Sequence, residues 1–156
     1  MVGIGYDMHR LKTGESLILG GISIESDFGT IAHSDGDVLL HSIIDAILGA
    51  AGLGDIGEHF PDTDEKYKGI SSVELTEAVI SLVNKENYKL INIDAVIILE
   101  KPKLLPYKKA IRENIANLCG LPVKRVNIKA TTNEKLSYIG RSEGIVVHSV
   151  CQIADA

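Results

Sequence analysis

HSDGDVLLHSIIDAILGA (His33–Ala50) decides how this chain folds. From Val38 onward, Leu40, Ile43, Ile44, Ile47, Leu48 and Ala51 recur at the three-and-four spacing of a helix with one apolar face. Ser34 or Asp35 can cap its start, and the glycines between Gly49 and Gly54 break it. That stripe is core and needs a partner. Upstream, residues 2–7 and 16–25 read as short strands, the second with a bend or bulge at Gly20 and Gly21.

Downstream, residues 55–69 carry turn formers without periodicity, which reads as a loop long enough to carry function. Ser71 and Glu74 form a capping-box pattern for a second helix, with Leu75, Val79, Leu82 and Val83 on one face. INIDAVIILE (91–100) is a buried strand; Pro106 suits the first turn of a third helix aligning Ile111, Ile115 and Leu118, and Gly120 suits its carboxyl cap. RVNIKATT (125–132) and EGIVVHSVCQIA (143–154) alternate as strands. The order predicts an α+β fold: a single domain over 1–156, with a mixed β-sheet and helices packed on one face.

The bulk numbers narrow the function. A chain of 156 residues with 45% hydrophobic and 24% charged residues buries a core without disulfides or a structural metal, so a metal found here is expected to be functional. A net charge of −5 gives no case for nucleic-acid binding, and any anionic substrate must be gripped locally. Cys119 and Cys151 lie far apart in apolar surroundings and read as buried, reduced side chains. With no signal-peptide pattern and no apolar run near the ~20 residues that span a bilayer, no membrane association is expected and the reading is cytoplasmic. A trimmed organellar form would read identically.

Polar residues concentrate where the first strand meets the first helix. On a strand, residues two apart share a side, so Asp7 and His9 project together. If the helix crosses that strand end, His41 joins them as a third metal ligand and leaves an open fourth position, the usual arrangement of catalytic zinc. Asp37, His41 and Asp45 share one helical face, and Asp45 is the expected partner of the imidazole proton. Each residue alone has an ordinary explanation: strand end, helix cap, half-buried histidine. Together, three inward polar groups need a common partner. His33 and Ser34 sit before the helix, where they can donate to an anion.

KATTNEKLSYIGRSEG (129–144) places Thr131, Thr132, Glu134, Lys135 and Arg141 after a strand, a mix suited to phosphate oxygens and a hard cation such as magnesium. EKPKLLP (100–106) can present backbone groups to a planar base. GLGDIG (52–57) matches a dinucleotide fingerprint in letters only, because it follows a helix and enters a loop. His59 and His148 stand alone and read as exposed or packing residues.

GYDMH, AHSDGDVLLH, GDIGEHFPDTD, PKLLP and KATTNEKLSYIGRSEGI, in this order, resemble the 2-C-methyl-D-erythritol 2,4-cyclodiphosphate synthases of the non-mevalonate isoprenoid pathway nearly end to end. The resemblance implies Asp7, His9 and His41 as ligands of zinc or another divalent transition metal. It implies His33 and Thr132 beside the reacting phosphates, and Glu134 as a ligand of Mg2+ or Mn2+. It further implies a cytidine pocket over Leu99–Leu105, including Leu104 and helped by Lys103 and Thr131, with Ser34, Lys135, Asp55, Gly57 and the loop from Phe60 through Asp62 to Asp64 near the substrate. Tyr138 and Arg141 fall where the family lines a central cavity. The family forms homotrimers with active sites between subunits, and the strand over 145–153 can supply apolar surface for one. Ser137, Tyr138 and Ser142 depart from the Gly, Phe and Gly expected at those positions, which bears on loop geometry rather than chemistry.

The expected reaction is attack of the 2-phosphate of 4-diphosphocytidyl-2-C-methyl-D-erythritol 2-phosphate on its β-phosphorus, releasing CMP. The alternatives are a zinc-dependent nucleotide phosphohydrolase, which would give linear products, and a trimeric nucleotide-binding regulator without turnover.

Overall fold

The computed structural model describes residues 1–61, 63–67 and 69–156. β1 (Val2–Thr13) runs well past the expected strand because two partners extend it. Residues 2–10 pair antiparallel with β7 (Gly144–Asp155), and residues 11–13 with β4 (Phe28–Thr30). β5 (Tyr88–Ile98) takes the other edge of β7, and β6 (Val126–Thr131) lies parallel to β5. The result is a mixed five-stranded sheet ordered β4-β1-β7-β5-β6. The one parallel pairing needs a crossover, and α4 (Lys108–Leu118) supplies it. Between β1 and β4, the stretch expected as one bent strand is a hairpin of β2 (Leu17–Leu19) and β3 (Ile22–Ile24). Gly20 and Gly21 both take left-handed φ, +63° and +75°, which makes a two-residue turn cheap there.

α1 (Val38–Ala51) and α3 (Ser72–Lys85) form as the periodicity predicts, and α3 carries the full capping box of Ser71 and Glu74. The cap of α1 is Asp37 rather than Ser34 or Asp35. Its Oδ1 accepts the N–H of Leu40 at 3.0 Å and of Gly20 at 2.9 Å, while Oδ2 accepts that of Gly21 at 2.6 Å, so one buried carboxylate fastens the helix to the β2–β3 turn. Pro106 stands in the turn before α4, whose cap is Tyr107, and Gly120 follows the carboxyl cap Cys119 at φ +63°. Inside the expected 55–69 loop are α2 (Ile56–His59) and a 3₁₀ turn at Glu65–Tyr67; α5 (Ser137–Gly140) precedes β7.

The helices cover one face of the sheet. Leu39, Leu40, Ile43, Ile44 and Ile47 of α1 pack with Ile93 and Ile97 of β5 and Val147 of β7, all fully buried; each contributes roughly 1.5–3 kcal/mol by leaving water. Close approach is set by Gly3 and Gly5. A Cβ at Gly5 would sit 1.8 Å from the Ser42 carbonyl oxygen, and one at Gly3 2.1 Å from that of Ala46, so the α1 backbone rests directly on β1. Strand alternation then turns Asp7 and His9 to the same side, just beyond that contact. The opposite face leaves Val2, Ile4, Tyr6, Met8 and Val150 exposed. Cys119 and Cys151 are free and buried, and burial pushes both thiols up to about 12. Among the described residues, no helix is long and apolar enough to cross a membrane.

Candidate active site

Asp7 and His9 on β1 meet His41 on the first turns of α1. Asp7 Oδ2 lies 3.0 Å from His9 Nε2 and 3.2 Å from His41 Nδ1, and the two ring nitrogens are 3.4 Å apart. A tetrahedral ion with bonds of about 2.0 Å holds its donors about 3.3 Å from one another, so the three atoms already span one face of such a shell. They form a group of metal-competent side chains among the described residues, each half-buried. The donor set of one carboxylate and two imidazoles fits a divalent transition metal.

The electrostatics are those of acceptors forced together. Burial alone would raise the Asp7 carboxyl, but hydrogen bonds from His41 and His9 outweigh it and hold it at about 2. Burial opposes charge on His9, yet the hydrogen bond and negative charge of Asp7 prevail and raise its pKa. His9 Nδ1 faces the Ile31 carbonyl at 3.2 Å. A carbonyl only accepts, so Nδ1 carries a proton there, and Nε2, which donates to Asp7, is the nitrogen left to give up its proton to a metal.

Asp45 does not reach His41. Its Oδ1 accepts the N–H of Ile56 at 2.8 Å, which ties the start of α2 to α1. Lying a turn further along α1, it is drawn to the first free amide of α2, and burial raises its pKa. His41 Nε2 instead meets Ser72 Oγ at 2.9 Å and Ser34 Oγ at 3.3 Å. Nothing in the spacing identified Ser72, which arrives from a helix 31 residues away.

A cleft of ≈ 690 Å³ opens on the triad, lined also by His33, Ser34, Gly57, Phe60 and Tyr67. The Phe60 and Tyr67 rings meet edge to face at 5.3 Å, so the segment after α2 forms the far wall. Asp55 caps α2 by accepting the Glu58 N–H at 3.0 Å, and Asp64 accepts that of Lys66 at 3.0 Å; neither lines this cleft. Asp62 lies outside the described residues.

The remaining expected residues gather elsewhere. Leu99, Lys103, Leu104, Leu105, Thr131 and Thr132 line a second cleft of ≈ 220 Å³ at the ends of β5 and β6, which among the described residues shares no lining residue with the first. Glu134 accepts from the Thr132 hydroxyl at 3.3 Å, and Glu134, Lys135 and Ser137 hold positive φ of 52°, 61° and 60°. Glu100 Oε2 accepts the Asn133 N–H at 3.1 Å, joining the two loops. Tyr138 lines a third cavity near Met8 and donates to its sulfur at 3.3 Å, while the exposed Arg141 pairs with Glu143. His148 is exposed with its ring against Tyr6, and the His59 ring lies 2.7 Å from the Leu53 carbonyl.

The chain is similar to known proteins along nearly its whole length. The model of the YgbB family matches residues 1–154. A 2-C-methyl-D-erythritol 2,4-cyclodiphosphate synthase of Chlorobaculum tepidum is 52% identical over 155 residues, 99% of each chain. The structure of the bifunctional IspDF from Campylobacter jejuni superposes with a TM-score of 0.95 at 47% identity, over 99% of this chain and 42% of that larger one. A structure of 2C-methyl-D-erythritol-2,4-cyclodiphosphate synthase in a form bound to CDP superposes at 0.92 with 37% identity, covering 99% of this chain and 100% of the other.

Proposed function

The chain belongs to the YgbB family, among relatives named 2-C-methyl-D-erythritol 2,4-cyclodiphosphate synthase, and from that premise we propose how its residues divide the work of that reaction. The substrate is 4-diphosphocytidyl-2-C-methyl-D-erythritol 2-phosphate. An oxygen of the 2-phosphate forms a bond to the β-phosphorus, the bond from that phosphorus to the bridging oxygen of CMP breaks, and CMP leaves with the electron pair. The product is 2-C-methyl-D-erythritol 2,4-cyclodiphosphate.

The observation that carries the reading is the convergence of Asp7, His9 and His41 at 3.0–3.4 Å on the floor of a cleft sized for a small phosphorylated ligand. These three hold a transition metal, which we assign as zinc, and Glu134 holds magnesium or manganese; when bound, the ions withdraw charge from the diphosphate so that one anion can approach another. His33 and Ser34 donate to phosphate oxygens at the mouth of the metal cleft. Thr132 and Lys135 do so from the other side. Lys103 and Thr131, with backbone from Leu99 to Leu105, hold the cytidine, and Gly57, Phe60 and the neighbouring loop, with Asp55, Asp62 and Asp64, stand near the methylerythritol or the ribose. Tyr138 and Arg141 border the substrate from the β7 side. Such holding removes the orientational cost of closing an eight-membered ring, where effective molarities reach roughly 10⁵ to 10⁸ M.

Because the metal cleft and the nucleotide cleft share no residue within one chain, we assign the complete site to a homotrimer in which one copy supplies the triad and its neighbour the 99–105 and 131–135 loops. The open apolar face with Ile4, 78% exposed, Tyr6 and Val150 supports burial against further copies. Residues 1–156 act as one such domain, in the cytoplasm.

Phosphorus NMR of the protein incubated with the diphosphocytidyl substrate and magnesium tests the chemistry. Mutually coupled resonances of a cyclic diphosphate beside CMP, lost after chelation, are expected. Linear phosphates would make the protein a phosphohydrolase, and unchanged substrate with tight binding a regulator.

A further inference from the structure

Ser72 and Asp35 have no part in the chemistry above, yet they contact the back of a metal ligand. Ser72 opens α3 and is fully buried. Its hydroxyl oxygen lies 2.9 Å from His41 Nε2 and makes a very short hydrogen bond to Asp35 Oδ1. Asp35 also accepts the N–H of Ser72 through Oδ2 at 2.9 Å and that of Asp37 through Oδ1 at 3.2 Å. Three donors thus converge on a carboxylate that, when ionised, can only accept.

The proton count fixes the direction of this chain of contacts. A serine hydroxyl has one hydrogen to give, and Asp35 takes it. The oxygen then faces His41 with lone pairs only, so the contact at 2.9 Å is a hydrogen bond only if Nε2–H donates. The other serine near this ring is a poorer partner: Ser34 Oγ is 3.3 Å from Nε2 and accepts the Gly36 N–H at 3.2 Å. With a proton held on Nε2, the Nδ1 that faces Asp7 and His9 is the nitrogen His41 can free for a metal. The Ile31 carbonyl selects the opposite tautomer of His9 and leaves Nε2 free. Two histidines therefore present different nitrogens to one point, each because of what stands behind it.

We propose that Ser72, aligned by Asp35, is a positioning residue that holds His41 in its Nε2–H tautomer so that Nδ1 serves as the metal ligand. This rests on the metal reading of the triad above. It also gives the first aspartate of the HSDGD stretch a task separate from that of the second: Asp37 fastens α1 to the β2–β3 turn, whereas Asp35 couples the start of α3 to the metal.

The experiment combines nitrogen-15 NMR of the histidine rings in metal-free and zinc-loaded protein with zinc affinity measured against a chromophoric chelator. In the wild type, His41 is expected to carry a proton on Nε2 both before and after zinc is added, and to coordinate zinc through Nδ1. Ser72→Ala removes the acceptor, and Asp35→Asn can donate to Ser72 Oγ and release the serine proton toward Nε2. Both should lose zinc affinity by roughly 10- to 100-fold, with Asp35→Asn moving the His41 proton to Nδ1 while the circular dichroism of the fold is retained. Ser72→Thr, which keeps the hydroxyl, should recover affinity. A zinc-loaded wild-type His41 that lacks a proton on Nε2 overturns the proposal without recourse to any variant. So does zinc bound equally by wild type and Ser72→Ala. Wild-type protein that takes up no divalent metal would instead defeat the metal reading itself.

Discussion

The junction of β1 with α1 and the loops that end β5 and β6 both carry residues of the proposed site, but they are built by different means. At the junction, Gly3 and Gly5 let a helix backbone rest on a strand, Asp37 pins the helix start with three N–H groups, and the metal-competent atoms stand at 3.0–3.4 Å. Packing decides where every functional atom lies. In the 99–105 and 131–137 loops, Leu105 is 78% exposed, the Thr132 hydroxyl and the Glu134 carboxylate meet at 3.3 Å on the surface, and consecutive residues take positive φ. Those groups are presented by backbone shape and left open. A centre that must hold a metal in a fixed shell needs the first kind of construction. A surface that, on the proposed assembly, another copy and a nucleotide would complete tolerates the second.

The largest expected effect falls on the junction. His41→Ala removes one of three ligand atoms and should lose bound transition metal together with turnover, by at least about 10³-fold given the several kcal/mol a metal supplies; elemental analysis beside the rate checks both. Gly5→Ala forces a Cβ to within 1.8 Å of the Ser42 carbonyl oxygen. Overpacking of that severity should cost about 3 kcal/mol or more and lower the melting temperature by about 10 °C. If Gly5→Ala melts like the wild type, close backbone contact does not set the metal geometry.

Asp37 offers a gentler probe. Burial raises its carboxyl from 3.8 to about 6, against the pull of the Gly21, Leu40 and Gly20 amides. A raised folded value means the native state holds the proton more tightly. Its stabilising contribution is therefore complete below about pH 4 and is lost as pH climbs through about 6. Denaturation midpoints should fall for the wild type relative to Asp37→Asn across that window, and a constant difference would refute the assignment. In the loops, Glu134→Ala should leave the transition metal in place and raise the magnesium requirement by about tenfold, as expected of one lost carboxylate ligand. Loss of zinc in this variant would erase the distinction between the two regions.

Much of the junction was legible in the sequence because periodic rules govern it. Alternation put Asp7 and His9 on one side of β1, helical spacing put His41 on one face of α1 with Asp37 and Asp45, and Ser71 with Glu74 marked the start of α3. The α+β class and the helices on one face followed from the same patterns. The partner behind His41 was not legible. Spacing on α1 pointed to Asp45, but Asp45 accepts from Ile56, and Ser72 comes from another helix by a contact that exists only after tertiary packing. Likewise the Gly20–Gly21 pair signals a bend in sequence, and only pairing of Leu17–Leu19 with Ile22–Ile24 makes it a hairpin. The loops were legible as a motif and hardly at all as geometry, since left-handed conformations at Glu134, Lys135 and Ser137 have no glycine to announce them.

Whether the two regions act together across neighbouring copies is decided by mixing two inactive chains. His41→Ala and Thr132→Ala chains, each without turnover alone, are co-expressed in equal amounts and the mixed assembly is assayed for cyclic diphosphate by phosphorus NMR. If a site takes its triad from one copy and its nucleotide loops from the next, random mixing in a ring leaves about a quarter of sites with both parts intact, and activity should return to about that fraction of wild type. No recovered activity from a verified mixed assembly would mean that both regions serve a site within one chain, and the division of the site between copies would be wrong.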